Sequence, residues 1–310
     1  MHGFPITASG LDFDAADLAH AKAAQRVPIS VCLPARDEEQ TIGDIVDLVR
    51  RELVERVALV DEILVIDDGS TDATAETARS AGATVVSAEN VLPEMGPGSG
   101  KGDAMWKSLY ASSGDIVCWL DADVRNFDTR FVTGLLGPLL TRPTIDFVKG
   151  FYDRPTVGAE GGGRVTELVA RPLISRLFPH LSGIIQPLAG EYAGRRDLLE
   201  ALPFVEGWGV ELGLLVDVAT HCGLGAIAQV DLGTRLHRNR PLSQLAPQAM
   251  AILTTALRRA GMADRESWGD ELVRFDDGYR VEHVEVELRE RPPMLTVPAY
   301  RAKFGREMTA

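Results

Sequence analysis

Between residues 28 and 120 apolar runs and helical patterns take turns along the chain. Residues 28–33 (PISVCL) are apolar, the stretch from Thr41 to about Arg56 reads as a helix, and EILVIDDG at 62–69 is apolar until its aspartates. A helix from Asp72 to Ser80, the run ATVVSA at 83–88 and a strand at 116–120 continue the series. Strands separated by helical segments of this length predict βαβ units, and so an α/β fold with a mostly parallel sheet and helices on both faces. Residues 1–27 are polar and Ala-rich and read as a loose N-terminal arm with a short helix around Asp14 to Gln25. Residues 95–104 (MGPGSGKGDA) and 157–167 (VGAEGGGRVTE) are Gly-rich enough to be mobile. From Ser243 to Met262 the pattern is that of an amphipathic helix. Residues 263–290 are acidic without a strong period, and the chain from about Thr296 reads as frayed.

Composition narrows this picture. The 310 residues are 45% hydrophobic and 25% charged, enough for one large core. A formal net charge of −13 argues against attraction to nucleic acid or to an anionic membrane surface, so an anionic ligand needs a local basic pocket. No run approaches the roughly 20 apolar residues of a membrane span, and the N-terminus lacks a basic stretch followed by an apolar core, so a soluble protein without a membrane partner is expected. Cys32, Cys118 and Cys222 match no metal or disulfide spacing, which suits a reducing cytoplasm. An acidic segment after a compact core makes a homodimer plausible.

The candidate chemistry gathers where strands end. CWLDADV at 118–124 closes a strand with Asp121 and Asp123, an oxygen pair that suits Mg²⁺ or Mn²⁺ together with substrate phosphates. Taken alone, the same pair also serves as ordinary turn residues. Two further strands end in acceptor-rich loops, LPARDEEQTI at 33–42 and VIDDGSTDAT at 65–74, where Asp37, Glu38 and Asp68 are placed to accept from a nucleobase or ribose. Thr71 and Asp72 fit better as a helix cap. Carboxylates on three neighbouring strand ends suggest a nucleoside diphosphate pocket, because open α/β sheets bind ligands beyond the carboxyl ends of their strands. GGGRVT at 161–166 sets three glycines before Arg164 and Thr166 at a helix start, an anion site if the arginine is not simply solvated on a linker. TRLHRNRP at 234–241 concentrates basic residues in an acidic protein. Glu211, in GWGVELGLL, is expected to be buried and therefore paired or at work, the alternative being a carboxylate that favours a helix start. Lys101 in GSGKG suits a phosphate or a sugar, although the loop is no P-loop, since Gly102 stands where that motif has Ser or Thr.

LPARDEEQTIGDIV, ILVIDDGSTDAT, GKGDAMWKSL and the DAD triplet resemble the GT-A glycosyltransferases, a Rossmann-like fold. GGGRVTELVARPL, QPLAGEYAGRRDLL, GWGVELGLLVD and LGTRLHRNRPL, at 161–242, narrow the resemblance to the glucosyl-3-phosphoglycerate synthases. It covers about residues 28 to 245 in order. Ala122 stands where that family often has serine, the stretch between Arg154 and Gly161 is short, and the C-terminal region diverges. The resemblance implies a nucleotide-sugar-binding half at 28–150, an acceptor-binding half of the same domain at 151–245, and a C-terminal helix and arm at 246–310. It implies retaining transfer of glucose from a UDP- or GDP-glucose donor to the 2-hydroxyl of 3-phosphoglycerate. Mannosyl transfer from GDP-mannose is the close alternative, a sugar nucleotidyltransferase a more distant one, and a silent sugar-nucleotide sensor the non-enzyme reading. Carried onto this sequence, it places Pro34, Ala35, Arg36, Glu38, Asp68, Lys101, Asp121, Ala122 and Arg235 on the donor. It places Gly163, Arg164, Thr166 and Asn239 on the acceptor, Asp123 and His237 on Mg²⁺ or Mn²⁺, and Glu211 beside the acceptor hydroxyl, with Lys101 as its catalytic companion. Glu191 and Tyr192 are expected to support the pocket or touch the sugar.

Overall fold

The computed structural model describes residues 5–98, 100–154, 163–236, 242–262, 269, 271–276, 278–286 and 288–305. From the N-terminus, β1 (Ile6–Ser9) and α1 (Ala15–Gln25) lead into β2 (Ile29–Ala35), α2 (Ile42–Val49), β3 (Glu62–Asp67), α3 (Thr74–Ala81), β4 (Thr84–Ser87), α4 (Gly100–Ala111) and β5 (Ile116–Trp119). Then follow α5 (Arg130–Thr141), β6 (Phe147–Asp153), α6 (Arg171–Leu177), β7 (Tyr192–Arg195), α7 (Arg196–Leu199), β8 (Phe204–Val205), α8 (Val210–Cys222) and β9 (Ile227–Thr234). The C-terminal part adds α9 (Leu242–Arg259), β10 (Glu271–Phe275), β11 (Val281–Glu285), β12 (Glu290–Arg291) and α10 (Pro298–Phe304).

Eight strands form one sheet in the order β1-β9-β6-β7-β5-β2-β3-β4. Every pairing is parallel except the two made by β7, which runs against β5 and β6 at the centre. Both faces are covered, which is why β2 and β3 read as unbroken apolar runs rather than alternating ones. Val31, Leu33, Ile63 and Val65 pack into one core with α2 and α5, whereas Cys32, Leu64 and Ile66 face the other core around Trp106, Trp119 and Tyr192. This is the GT-A, Rossmann-like arrangement.

Four expectations change. The N-terminal arm is held: β1 pairs with β9 at the sheet edge, and α1, capped by Asp14 through the N–H groups of Ala16 and Asp17, packs on α5. Its edge pairing is made by backbone groups, which leave no mark in composition. The Gly-rich stretch at 95–104 ends inside a helix, because Gly100 and Gly102 let α4 approach the backbone at Val205 and Gly207 more closely than a Cβ would permit. Within 263–290 the described residues form the antiparallel pair β10–β11, and β12 pairs with β8. The chain after Thr296 is anchored by Tyr300, which is buried and donates its hydroxyl to Glu200 Oε2 at 2.6 Å. Among the described residues no helix is long and apolar enough to cross a membrane.

Candidate active site at the carboxyl edge of the sheet

The parallel strands β5, β2 and β3 end side by side, so their loops reach the same edge of the sheet. β6 and β9 run the same way and deliver Arg154 and Arg235 there, while the reversed β7 begins there, just after Gly190 and Glu191. The result is a cavity of about 560 Å³. It is lined by the strand-end residues Pro34, Ala35, Arg36, Asp37, Glu38, Asp68, Asp121, Ala122 and Asp123, by Gly163, Arg164, Thr166, Trp208 and Gln248, and by Lys101, Glu211 and Arg235. All the donor and acceptor candidates within the described residues thus share one cavity, together with Asp123, Glu211 and Lys101. His237 and Asn239 lie outside the described residues.

A network of opposed charges forms the cavity floor. Lys101, in the first turn of α4, places Nζ 2.5 Å from Asp121 Oδ1 and 2.9 Å from Glu211 Oε1. Arg235, just beyond β9, spans the DAD triplet, with Nη2 at 2.8 Å from Asp121 Oδ2 and 2.6 Å from Asp123 Oδ1. Its Nη1 donates to the Tyr152 hydroxyl at 2.6 Å and lies 3.3 Å from Glu191 Oε1. Burial opposes ionisation of Asp121, but Lys101 and Arg235 outweigh it and hold the carboxyl well below the usual carboxylate range. Burial likewise opposes the charge on Lys101, and Asp121 and Glu211 overcome it, so this lysine stays an ammonium. Gly190 is needed against Asp121, since a Cβ there would collide with both carboxylate oxygens. Glu191 and Tyr192 are fully buried behind the cavity lining and act as its support. Burial raises the Glu191 carboxyl and lowers the ammonium of Lys149, which donates to the Ala189 carbonyl at 2.7 Å, to about 7.

The strand-end loops brace one another. Asp37 adopts a positive φ of 56° and accepts from the Thr71 N–H at 2.7 Å, while Asp72 accepts from the Thr74 and Glu39 N–H groups. Asp68 accepts from the Gly100 N–H at 3.0 Å, and burial raises its carboxyl. Gly163, with φ +84°, turns the chain into the helix that carries Arg164 and Thr166. Among the described residues no three His, Cys, Asp or Glu side chains converge as a ready-made metal cage. A divalent cation nevertheless fits the donor set. Four carboxylates, Asp121, Asp123, Glu191 and Glu211, surround Lys101 and Arg235, an acid excess that a diphosphate cannot relieve. Asp121 and Asp123 converge on the same guanidinium nitrogen, and the Asp123 side chain is the most exposed of the four at 31%. Hard oxygen ligands from one or two aspartates plus phosphate are what Mg²⁺ and Mn²⁺ accept.

Several lining residues were not legible beforehand. Arg154 stacks over Tyr152 at 5.1 Å and donates to its hydroxyl at 3.1 Å. Leu188, Trp208, Leu245 and Gln248 also face the cavity. For Leu245 and Gln248 the amphipathic pattern of α9 was the signal, but a helical period does not say which end meets a site.

Residues 30–201 match the profile of glycosyl transferase family 2. The glucosyl-3-phosphoglycerate synthase of Petrotoga mobilis is 46% identical over 303 residues, covering 94% of this chain and 93% of that protein. The synthase of Mycolicibacterium smegmatis is 49% identical over 287 residues, covering 91% and 93%. The crystal structure of the Mycobacterium tuberculosis synthase in complex with Mn²⁺, UDP-glucose and phosphoglyceric acid superposes with a TM-score of 0.85 at 46% identity, covering 94% of this chain and 98% of that one. The likeness therefore extends into the C-terminal region that diverges on first reading. The chain belongs to glycosyl transferase family 2 and, within it, to the family of glucosyl-3-phosphoglycerate synthases.

Proposed function

We propose that this chain transfers glucose from a nucleoside diphosphate glucose, UDP-glucose in first place, to the 2-hydroxyl of 3-phosphoglycerate with retention of configuration. The products are glucosyl-3-phosphoglycerate and the nucleoside diphosphate. The observation that carries this reading is the cavity itself, which gathers strand-end acids, a glycine-and-arginine helix start, and Lys101 paired to Glu211. Pro34, Ala35, Arg36, Glu38, Asp68 and Ala122 hold the nucleoside side of the donor. Lys101 meets the diphosphate or the sugar, and Arg235 keeps Asp121 and Asp123 in register beneath it. Mg²⁺ or Mn²⁺ held by Asp123, with His237 as the further ligand implied by the family, supplies Lewis-acid neutralisation of the departing diphosphate. Gly163, Arg164 and Thr166 hold the acceptor's anionic groups, by backbone N–H and guanidinium donation at a helix start, with Asn239 as the further contact implied by the family.

Glu211 orients the acceptor hydroxyl and receives its proton in this reading. Glu191 is sealed behind the lining, and Glu211 serves the acceptor hydroxyl in this reading, so neither is offered to the anomeric carbon as a nucleophile. Attack from the same face as the departing diphosphate follows, in place of double displacement. The reading includes a cytoplasmic setting, where Cys32, Cys118 and Cys222, all free, stay reduced, and a homodimer, which light scattering in solution checks. The decisive experiment is a donor panel of UDP- and GDP-glucose and UDP- and GDP-mannose with 3-phosphoglycerate and Mg²⁺. Glucosyl-3-phosphoglycerate and nucleoside diphosphate are expected, abolished by EDTA. Release of pyrophosphate, a preference for mannose, or turnover undiminished by the chelator would each overturn the corresponding part.

A further inference from the structure

On the side of α4 away from the cavity lies a second cluster of buried charge. Arg291 of β12 places Nε 2.7 Å from Asp103 Oδ1 and 2.9 Å from Glu206 Oε1. Its Nη1 donates to the Met95 carbonyl at 2.8 Å and its Nη2 to the Gly96 carbonyl at 3.1 Å. The guanidinium also sits 5.3 Å from the Trp106 ring centre, and Lys107 Nζ completes the Asp103 carboxylate at 2.8 Å. The two acids joined by Arg291 have particular places in the chain. Asp103 follows Lys101 by two residues on α4, and Glu206 stands immediately before the 3₁₀ turn Gly207–Gly209 that opens into α8 and Glu211.

The two helix starts already touch without side chains between them. A Cβ at Gly102 would strike the Val205 carbonyl, and one at Gly100 would lie 2.9 Å from Gly207 Cα. We propose that Arg291 is a positioning residue for the transfer. By clamping Asp103 to Glu206 from behind, it fixes how α4 and α8 meet, and with that the 2.9 Å contact of Lys101 with Glu211 in the cavity. Its hold on the Met95 and Gly96 carbonyls steadies the segment leading to Gly100, whose N–H is bonded to Asp68. A guanidinium suits this task because its planar fork presents several donors in fixed directions, which an ammonium does not. The inference rests on the reading that Lys101 and Glu211 serve the reacting groups.

Arg291→Lys keeps the charge and loses the fork. A displacement near 1 Å at reacting groups costs on the order of 10²-fold in rate, so kcat is expected to fall roughly 10- to 100-fold, with KM for both substrates within about threefold of wild type. Arg259→Met is the control. Arg259 ties Asp217 of α8 to Glu290 of β12 at 2.9 and 2.6 Å and joins neither Asp103 nor Glu206, so its loss should lower the melting temperature and spare kcat. In a Glu211→Gln background, Arg291→Lys should add little, because the two changes disable one unit. Should Arg291→Lys fail to fold, Glu206→Gln loosens the same clamp at nearly constant shape and should show the same loss of kcat. Normal kcat in a folded Arg291→Lys or Glu206→Gln protein, or full additivity with Glu211→Gln, would overturn the clamp alone. Normal kcat in Glu211→Gln by itself would overturn the reading beneath it.

Discussion

Two clusters of buried charge flank the first turn of α4, and they are built from the same kinds of side chain. In the cavity, Asp121, Asp123 and Glu211 face Lys101 and Arg235, with Glu191 behind Arg235, and Asp121 and Asp123 keep access to the open space. Behind the helix, Asp103 and Glu206 are met by Lys107 and Arg291, with Arg289 at the rim, and the remaining Arg291 donors end on backbone carbonyls. The first cluster is unbalanced and open, the second balanced and closed. A buried charge must find its complement somewhere. Where the protein supplies all of it, the cluster can only hold shape; where it does not, the complement arrives with the ligands. The contrast sets the groups proposed to bind against those proposed to position, although both clusters are built from acids held by lysine and arginine.

The sharpest way to break this contrast is Glu211→Gln. If the open cluster does chemistry, kcat should fall by on the order of 10²–10⁴, the usual contribution of a positioned acid or base, while melting temperature and donor affinity stay near wild type. A stable, fully active Glu211→Gln protein would remove Glu211 from the machinery and leave the two clusters alike. Arg164, on the cavity wall, sharpens it further. Arg164→Ala should raise KM for 3-phosphoglycerate by about 10- to 150-fold, the equivalent of a charge-assisted contact of roughly 1.5–3 kcal/mol, with KM for the sugar nucleotide nearly unchanged. Equal effects on both substrates would move Arg164 out of the acceptor end.

The smallest effect concerns Lys149, a cation behind the open cluster that belongs to neither arrangement. Burial lowers its ammonium from the ordinary 10.5 to about 7. Between those values the folded protein binds fewer protons than the unfolded chain, so this group makes stability rise with pH from about 7 towards 10.5, and its burial costs most below that window. Urea unfolding of wild type and Lys149→Met at pH 7 and pH 9.5 reads this directly. The stability of wild type relative to the variant should improve at the higher pH. An unchanged difference would mean that Lys149 keeps its proton and counts among the balancing cations.

What the sequence made legible divides along the same line. The strand ends were readable because apolar runs that stop at acids are a local pattern, and β2, β3 and β5 bring Asp68, Asp121 and Asp123 to one edge as the βαβ alternation requires. Lys101, Arg164 and Glu211 announced themselves through glycines beside charged residues at helix starts. Arg291 could not be read in this way. It lies 188 residues from Asp103, in a segment without period, and nothing local distinguishes an arginine that bridges two buried acids from one in solvent. Arg235 was visible as part of a basic run, yet its grip on both aspartates is a property of the β9 terminus meeting the β5 terminus across the sheet. Tyr300 escaped for the same reason, because its partners Glu200 and Arg196 are about a hundred residues away.

The edge pairing of β1 with β9 also sets a clock. Thr7 is paired with Gln229, and the two are 222 residues apart. At a synthesis rate of about 5–20 residues per second, β1 waits on the order of 10–45 s for its partner. During that time the apolar side chains of Ile6 and Ala8 and the unpaired backbone of β1 stand beside a growing chain whose other strands already have neighbours. Brevity limits the hazard, since four residues with no fully buried side chain make a poor template for another chain. The strand that looks like the least consequential part of the sheet is thus the one whose shortness matters most while the protein is being made.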